Sequence, residues 1–336
     1  MCFCFLFFYI SLAFSTFENP IPLKSFKIID SEDSNYYIVA IERYRDIGLV
    51  LNAKHDKQVW FFDFTSKKSN LIAVEGRGPG ELNGGPFSIG IFGEDILIRD
   101  RAAVYSLYGK AGFKGVLHDH HCKDNSMFLN SLIKIDENTA FASSGSVFKV
   151  DGKYHLLGKL KKTDREKWCV TDWLMSEKTV QGDDFNSKSF RMTYSAFIKL
   201  CPASTEGTFY FVPMFLGSVI TVLDRHGRLI REIQHPHPLS RYLPRSPDDL
   251  LSFFQDKDHE IPLVLGKSAF SDANGLLHIL MNKKDTSIIV SLDEFGNRVN
   301  VMQSKERIIS AVPSCQGDAY FGLDEDGNVY HLMPTQ

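Results

Sequence analysis

The chain has 336 residues, with 38 lysines and arginines against 41 aspartates and glutamates for a net charge of −3, and 43% of its residues are hydrophobic. This is the make-up of an ordinary folded protein with enough apolar material for a large core, and it excludes a disordered or collagen-like chain. The near-neutral balance, with no long Lys/Arg run, argues against nucleic acid as the main partner, because phosphate binding needs a clustered positive footprint.

Residues 1–15, MCFCFLFFYISLAFS, carry no charge and are almost wholly apolar. The run is shorter than the roughly 20 residues of a membrane helix but suits the core of a secretory signal. Ala13-Phe14-Ser15 offers a small-x-small cleavage site, although a positive leader is missing. No other segment is apolar enough to span a membrane. The expectation is a signal peptide at 1–15 and a single domain at 16–336, located in the periplasm or outside the cell. Export permits disulfides among Cys122, Cys169, Cys201 and Cys315, and a Cys122–Cys169 bridge would pin the first of two insertions described below.

After SFKIID, Ser25 to Asp30, a unit recurs: an apolar run, a β-rich segment, a polar turn, a second β-rich segment, an Asp/Gly turn and a third. The clearest copies run from Gly207 to Ile233 and from Gly275 to Met302, and their Leu-Asp-x-x-Gly turns, Asp224 to Gly227 and Asp293 to Gly296, coincide. Six copies can be traced, opened by the apolar runs YYIVAI, FSIGI, LNSLIKI, YSAFIKL, KSAF and RIISAV. The 27 phenylalanines and 12 tyrosines fit strands. Four strands per unit and six units predict an all-β, six-bladed β-propeller with four antiparallel strands per blade. The last unit ends after its third strand, so Ser25–Asp30 is expected to supply the fourth and close the ring. Asp324 to Gly327 can alternatively be read as the outer-strand turn, shifting that blade by one strand. Extra sequence at about 161–193 and 235–264 carries helix signals. Thr163-Asp164-Arg165-Glu166 has capping-box spacing, and Ser246-Pro247-Asp248-Asp249 reads as a helix start. Two short helical insertions are therefore expected.

Glu75 to Leu82 reads EGRGPGEL. Glycines and a proline allow a tight crossing from one blade to the next, with Arg77 and Glu81 available to bridge the connector or to meet a ligand. The motif resembles the G-[KR]-G-P-G-[EQ]-[FL] connector of six-bladed propellers of the NHL and TolB-like type, particularly an exported bacterial family. It occurs once here, with Leu82 where an aromatic is common.

On this plan the connectors from fourth to first strands share one face with the loops between second and third strands. That face gathers 75–85, 118–127 and both insertions, and loops on a rigid scaffold are where binding resides. His118, His120 and Cys122 point one way in an extended chain and have the chemistry of metal ligands; a solvated connector explains them equally. They are the candidates for one divalent metal. His55, Arg99, Arg101, Lys283 and Lys284 are candidates for the channel mouth, and Arg241 and Tyr242 offer a cation and an aromatic for an anionic or sugar-like ligand. No Gly-x-Ser-x-Gly, His-Glu-x-x-His or dinucleotide motif is present. The expected function is an exported, non-enzymatic propeller that binds a protein partner or small molecule on the insertion-bearing face. The alternative is a metal-dependent hydrolase or lyase, lactonase-like or esterase-like, at the channel mouth, as the resemblance to some six-bladed propellers implies.

Overall fold

Apolar runs punctuated by Asp/Gly turns fold as strands throughout the computed structural model. It describes residues 20–32, 37–102, 104–118, 129–150, 153–163, 167–176, 198–213, 219–234, 236, 268–283, 286–314 and 319–335. These hold 24 strands and no helix. Strand β1 (Ile21–Ile29) precedes four separate antiparallel sheets. The first contains β2 (Ala40–Tyr44), β3 (Gly48–Ala53), β4 (Gln58–Asp63) and β5 (Lys68–Val74), and the second β6 (Pro86–Phe92), β7 (Asp95–Asp100), β8 (Tyr105–Gly109) and β9 (Gly112–His118). The third contains β10 (Leu129–Lys134), β11 (Thr139–Val150), β12 (Lys153–Lys162) and β13 (Trp168–Ser176), and the fourth β14 (Ile198–Pro202), β15 (Phe209–Pro213), β16 (Val219–Leu223) and β17 (Leu229–Gln234). The remaining strands are β18 (Ala269–Ser271), β19 (Leu277–Lys283), β20 (Thr286–Leu292), β21 (Arg298–Ser304), β22 (Ile308–Pro313), β23 (Tyr320–Asp324) and β24 (Val329–Pro334). The result is an all-β propeller.

The sequence predicts six separate four-stranded sheets, but the last seven strands and β1 form one eight-stranded sheet, in the order β18-β19-β20-β21-β1-β24-β23-β22. The N-terminal strand causes this. It pairs antiparallel with β24 from Leu23↔Pro334 to Ile29↔Val329, and parallel with β21 at Ile21↔Met302 and Pro22↔Gln303. It also begins earlier than the expected Ser25.

The first insertion is corrected too. Its described part is not helical: β12 and β13 form a hairpin, closed where Thr163 N donates to Lys167 O at 2.7 Å. Trp168–Ser176 is a strand, and residues 164–166 of the Thr-x-x-Glu motif lie outside the described residues. Residues 177–193 of that insertion, the helix start expected at Ser246 and the signal expected at 1–15 lie outside the described residues.

The turns explain why the repeat was visible. At Asp224, Asp272, Asp293 and Asp324 the carboxylate Oδ1 accepts the backbone N–H groups two and four residues on. Gly227, Gly275, Gly296 and Gly327 supply the left-handed residue, with φ from 76° to 86°. Aspartate satisfies the amides and glycine takes positive φ without a Cβ clash. Asp324–Gly327 lies between β23 and β24, so the last unit keeps three strands of its own before β1.

Between sheets, apolar faces interlock, as where Phe141 stacks on Phe209 at 4.8 Å. Burying such a side chain contributes about 1.5–3 kcal/mol. Polar stitches fix the alignment: Leu200 N donates to Ser131 Oγ at 3.0 Å, and Tyr210 OH to Gly275 O at 3.2 Å. Among the described residues no helix is long and apolar enough to cross a membrane.

Candidate functional site

The first strands of the four-strand runs, β2, β6, β10, β14, β18 and β22, enclose a cavity of about 450 Å³ together with Leu97, Arg99 and Tyr105 of the second sheet. Its walls are apolar where Ile89, Leu132, Leu200, Phe270 and Val312 meet it. Six charged residues also line it: Glu42, Arg43, Arg45, Arg99, Lys134 and Lys199.

Four of the five cations are already engaged. Arg43 donates to Asp46, to Arg45 O at 2.8 Å and to Ser314 O at 3.1 Å. Arg45 pairs with Glu94 at 3.1 Å, and Lys134 with Glu137 at 2.9 Å. Arg99, only 6% exposed, lies over Phe87 at 4.3 Å and points NH1 at Leu129 O. Burial lowers its pKa, countered by the nearby Tyr105 and Asp100.

Glu42 of β2 and Lys199 of β14 are different. Neither makes a hydrogen bond to any described residue, and the field of Lys199 reaches Glu42 across the cavity. Burial raises the Glu42 pKa, and Lys199 opposes that rise. The strands packed against β2 are β3, β6 and β22, with sequences GLVLNA, PFSIGIF and IISAVP, none of which contains a titratable side chain. The charged group that acts on Glu42 is therefore Lys199 of β14, and Glu42 in turn raises the pKa of the Cys201 thiol. Cys201 lines the same cavity, but burial pushes its thiol up to about 12 and its Sγ donates to Ala269 O at 3.2 Å. It is a packing group, not a nucleophile.

A second constellation has the composition of a hydrolase triad. His278 Nδ1 meets Ser291 Oγ at 2.8 Å and Tyr320 OH at 3.2 Å, Nε2 faces Asp272 Oδ2 at 3.3 Å, and Phe270 stacks on the ring at 5.1 Å. Ser291 is fully buried and His278 is 2% exposed. No substrate can reach that serine, so the cluster ties β19, β20 and β23 together.

Of the residues singled out in the sequence, Arg99 lines the cavity, and the other described ones fall elsewhere. Arg77 is exposed on the connector, while Glu81 Oε2 accepts Gly78 N at 2.7 Å, so Glu81 closes the loop on itself without Arg77. His55 is exposed, its ring 5.8 Å from that of Tyr37. Arg101 is exposed beside Gly84 and donates its N–H to Gly85 O at 3.2 Å. None of these four lines the cavity. His118 ends β9, opposite Tyr105. His120, Cys122, Arg241, Tyr242 and Lys284 lie outside the described residues, as do the side chains of His118 and Lys283. Cys169 is disulfide-bonded, and Cys201 is free. Among the described residues no three His, Cys, Asp or Glu side chains gather to hold a metal, and one carboxylate among five cations does not suit a divalent cation.

Glu42 and Lys199 escaped sequence reasoning because each is a single charge in an otherwise apolar run, AIERY and IKLCP. The usable signal was position, since a charge in the middle of a first strand faces the space where first strands meet.

No family model matches the chain, and no curated protein matches it in sequence. Solved structures do match in shape. A "putative exported protein" of Bacteroides fragilis aligns over 94% of this chain and 95% of its own, with a TM-score of 0.58 and 10% identity. A gluconolactonase of Xanthomonas campestris aligns over 93% and 90%, with a TM-score of 0.54 and 9% identity. A luciferin-regenerating enzyme aligns over 93% and 95%, with a TM-score of 0.53 and 8% identity. At such identities the likeness extends to the β-propeller fold.

Proposed function

We propose that this chain is an exported six-bladed β-propeller whose central cavity binds and acts on a small molecule, with Glu42 and Lys199 as the working groups. The observation that carries the reading is that these two charges alone, among the charged residues lining the cavity, are uncommitted to any described neighbour. Six blades are supported by packing order: β2 touches β6, β6 touches β10, β10 touches β14, β14 touches β18, β18 touches β22 and β22 touches β2. On this view the eight-stranded sheet is two blades clipped together by β1. Export is supported by the apolar residues 1–15, by the disulfide at Cys169 and by the neighbour described as exported.

Catalysis is favoured over a passive platform because two of the fold neighbours, the gluconolactonase and the luciferin-regenerating enzyme, are small-molecule enzymes. A carboxyl whose neutral form is favoured by burial, beside a cation, is an arrangement for general acid chemistry. In hydrolysis of an ester or lactone, water adds to the carbonyl carbon while Lys199 stabilises the charge growing on the carbonyl oxygen. The C–O bond then breaks as the Glu42 carboxyl gives its proton to the leaving oxygen, and the proton lost by the attacking water restores Glu42.

Gly90 supplies the test. It lines the cavity, and a Cβ built there meets nothing within 4 Å. Gly90→Leu fills the space without a backbone clash. Turnover of a lactone and ester panel is expected in the wild type and absent in Gly90→Leu, with thermal stability kept. Equal turnover in both proteins refutes the placement.

A second reading, partner docking on the connector-bearing face, has one observation in its favour. Phe87 is 43% exposed there, with Lys54 at 4.5 Å and Arg99 at 4.3 Å from its ring centroid. Loss of a captured partner with Phe87→Ala, but not with Gly90→Leu, would support it.

A further inference from the structure

We infer that the molecule held in the cavity carries a single carboxylate on an apolar body, with the carboxylate seated between Lys199 and Glu42. The inference rests on the reading that the cavity is the site, and it names the class of ligand.

Charge sets the head group. Arg43, Arg45 and Lys134 are neutralised by Asp46, Glu94 and Glu137, and Arg99 is spent on Leu129 O and the Phe87 ring. Among the described residues one positive charge, on Lys199, is left for a ligand, which matches a monoanion. A phosphate dianion asks for several convergent donors or a helix N-terminus. The described residues contain no helix, and the glycine-rich connector lies outside the cavity. Glu42 adds direction: burial favours its neutral form, which donates one O–H to a carboxylate oxygen, while an ionised Glu42 would repel it. Body and size follow from the walls. Ile89, Leu132, Leu200, Phe270 and Val312 reward an apolar group, and about 450 Å³ lies in the range of small-molecule sites. A carboxylate is also what ester or lactone hydrolysis leaves where the carbonyl stood, so such ligands would act as product mimics.

The experiment is calorimetric titration of the full chain with benzoate, phenylacetate and octanoate, against phenyl phosphate and neutral benzamide. The expected result is carboxylate binding that strengthens as pH falls and Glu42 gains its proton. Lys199→Met should weaken it about 10-fold or more, Lys199→Arg should restore most of it, and Glu42→Gln should flatten its pH dependence. Gly90→Leu should abolish it. Thermal midpoints confirm that each variant is folded. Benzamide binding as well as benzoate, with Lys199→Met without effect, overturns the carboxylate inference and leaves the cavity reading standing. Wild-type protein that binds no carboxylate also overturns it. If turnover is in addition equal in Gly90→Leu and wild type, the cavity reading falls with it.

Discussion

The imidazole of His278 stands with Nε2 3.3 Å from Oδ2 of Asp272, completing a serine, histidine and aspartate set whose serine and histidine are buried. Residue types alone would nominate it as an active site. Burial decides otherwise, and the consequence is measurable. Ser291→Ala should leave cavity binding and turnover unchanged while lowering stability by about 1 kcal/mol, since Tyr320 OH still meets Nδ1. Chemical denaturation alongside the ester panel checks both halves. Lost turnover in a folded protein would show that the serine works.

The pair formed by Lys110 and Asp63 predicts an acid-sensitive joint between the first and second sheets. The hydrogen bond from Lys110, helped by the amides of Ser66 and Thr65, lowers the Asp63 pKa to about 2. A depressed carboxyl stabilises the fold fully above its unfolded pKa of about 4, and that contribution fades as pH falls toward 2. Lys110→Met should move the Asp63 titration upward, read by carboxyl carbon resonances, and raise the pH of acid unfolding. The two amide donors should keep it below the ordinary value.

The glycine-rich connector is predicted to matter for shape. Gly80 has φ +80°, and a Cβ there would fall 2.7 Å from Cβ of Phe113. Gly80→Ala should cost about 1–3 kcal/mol in thermal or denaturant unfolding. Glu81→Ala should cost about 1 kcal/mol, by removing the acceptor for Gly78 N–H. An exposed-loop response, near zero for both, would contradict this reading of the motif.

Removal of residues 20–29 should be the most damaging truncation. It strips β24 of its antiparallel partner, β21 of its short parallel contact, and the core of Leu23 and Ile29. Loss of cooperative unfolding is the expected outcome, followed by circular dichroism on heating. A two-state transition at the wild-type midpoint would refute it.

Legibility in the sequence followed physical locality. Strands and turns could be read because each is specified within a few residues: Asp293 caps amides two and four positions on, and Gly296 takes the left-handed φ. The β12–β13 pair was misread as helical because a hydroxyl and an acid three residues apart match a helix start, whereas the pairing of Lys161 with Cys169 leaves no such local mark. The fusion of the final sheets was hidden because Ile21↔Met302 is a pairing between distant positions. The cavity pair was hidden for the same reason: Glu42 and Lys199 become neighbours only when β2 and β14 are brought around the same space. Loop residues such as His55, Arg77 and Arg101 drew attention by type, yet none lines that space.

The clip made by β1 also orders the life of the chain. Strand β1 is made long before β24, the strand it must grip, so an early segment waits to be seated. Closing so wide a loop is entropically slow. Until that moment the sheet that joins β21 to β24 stays open, and anything that holds residues 21–29 holds back its completion.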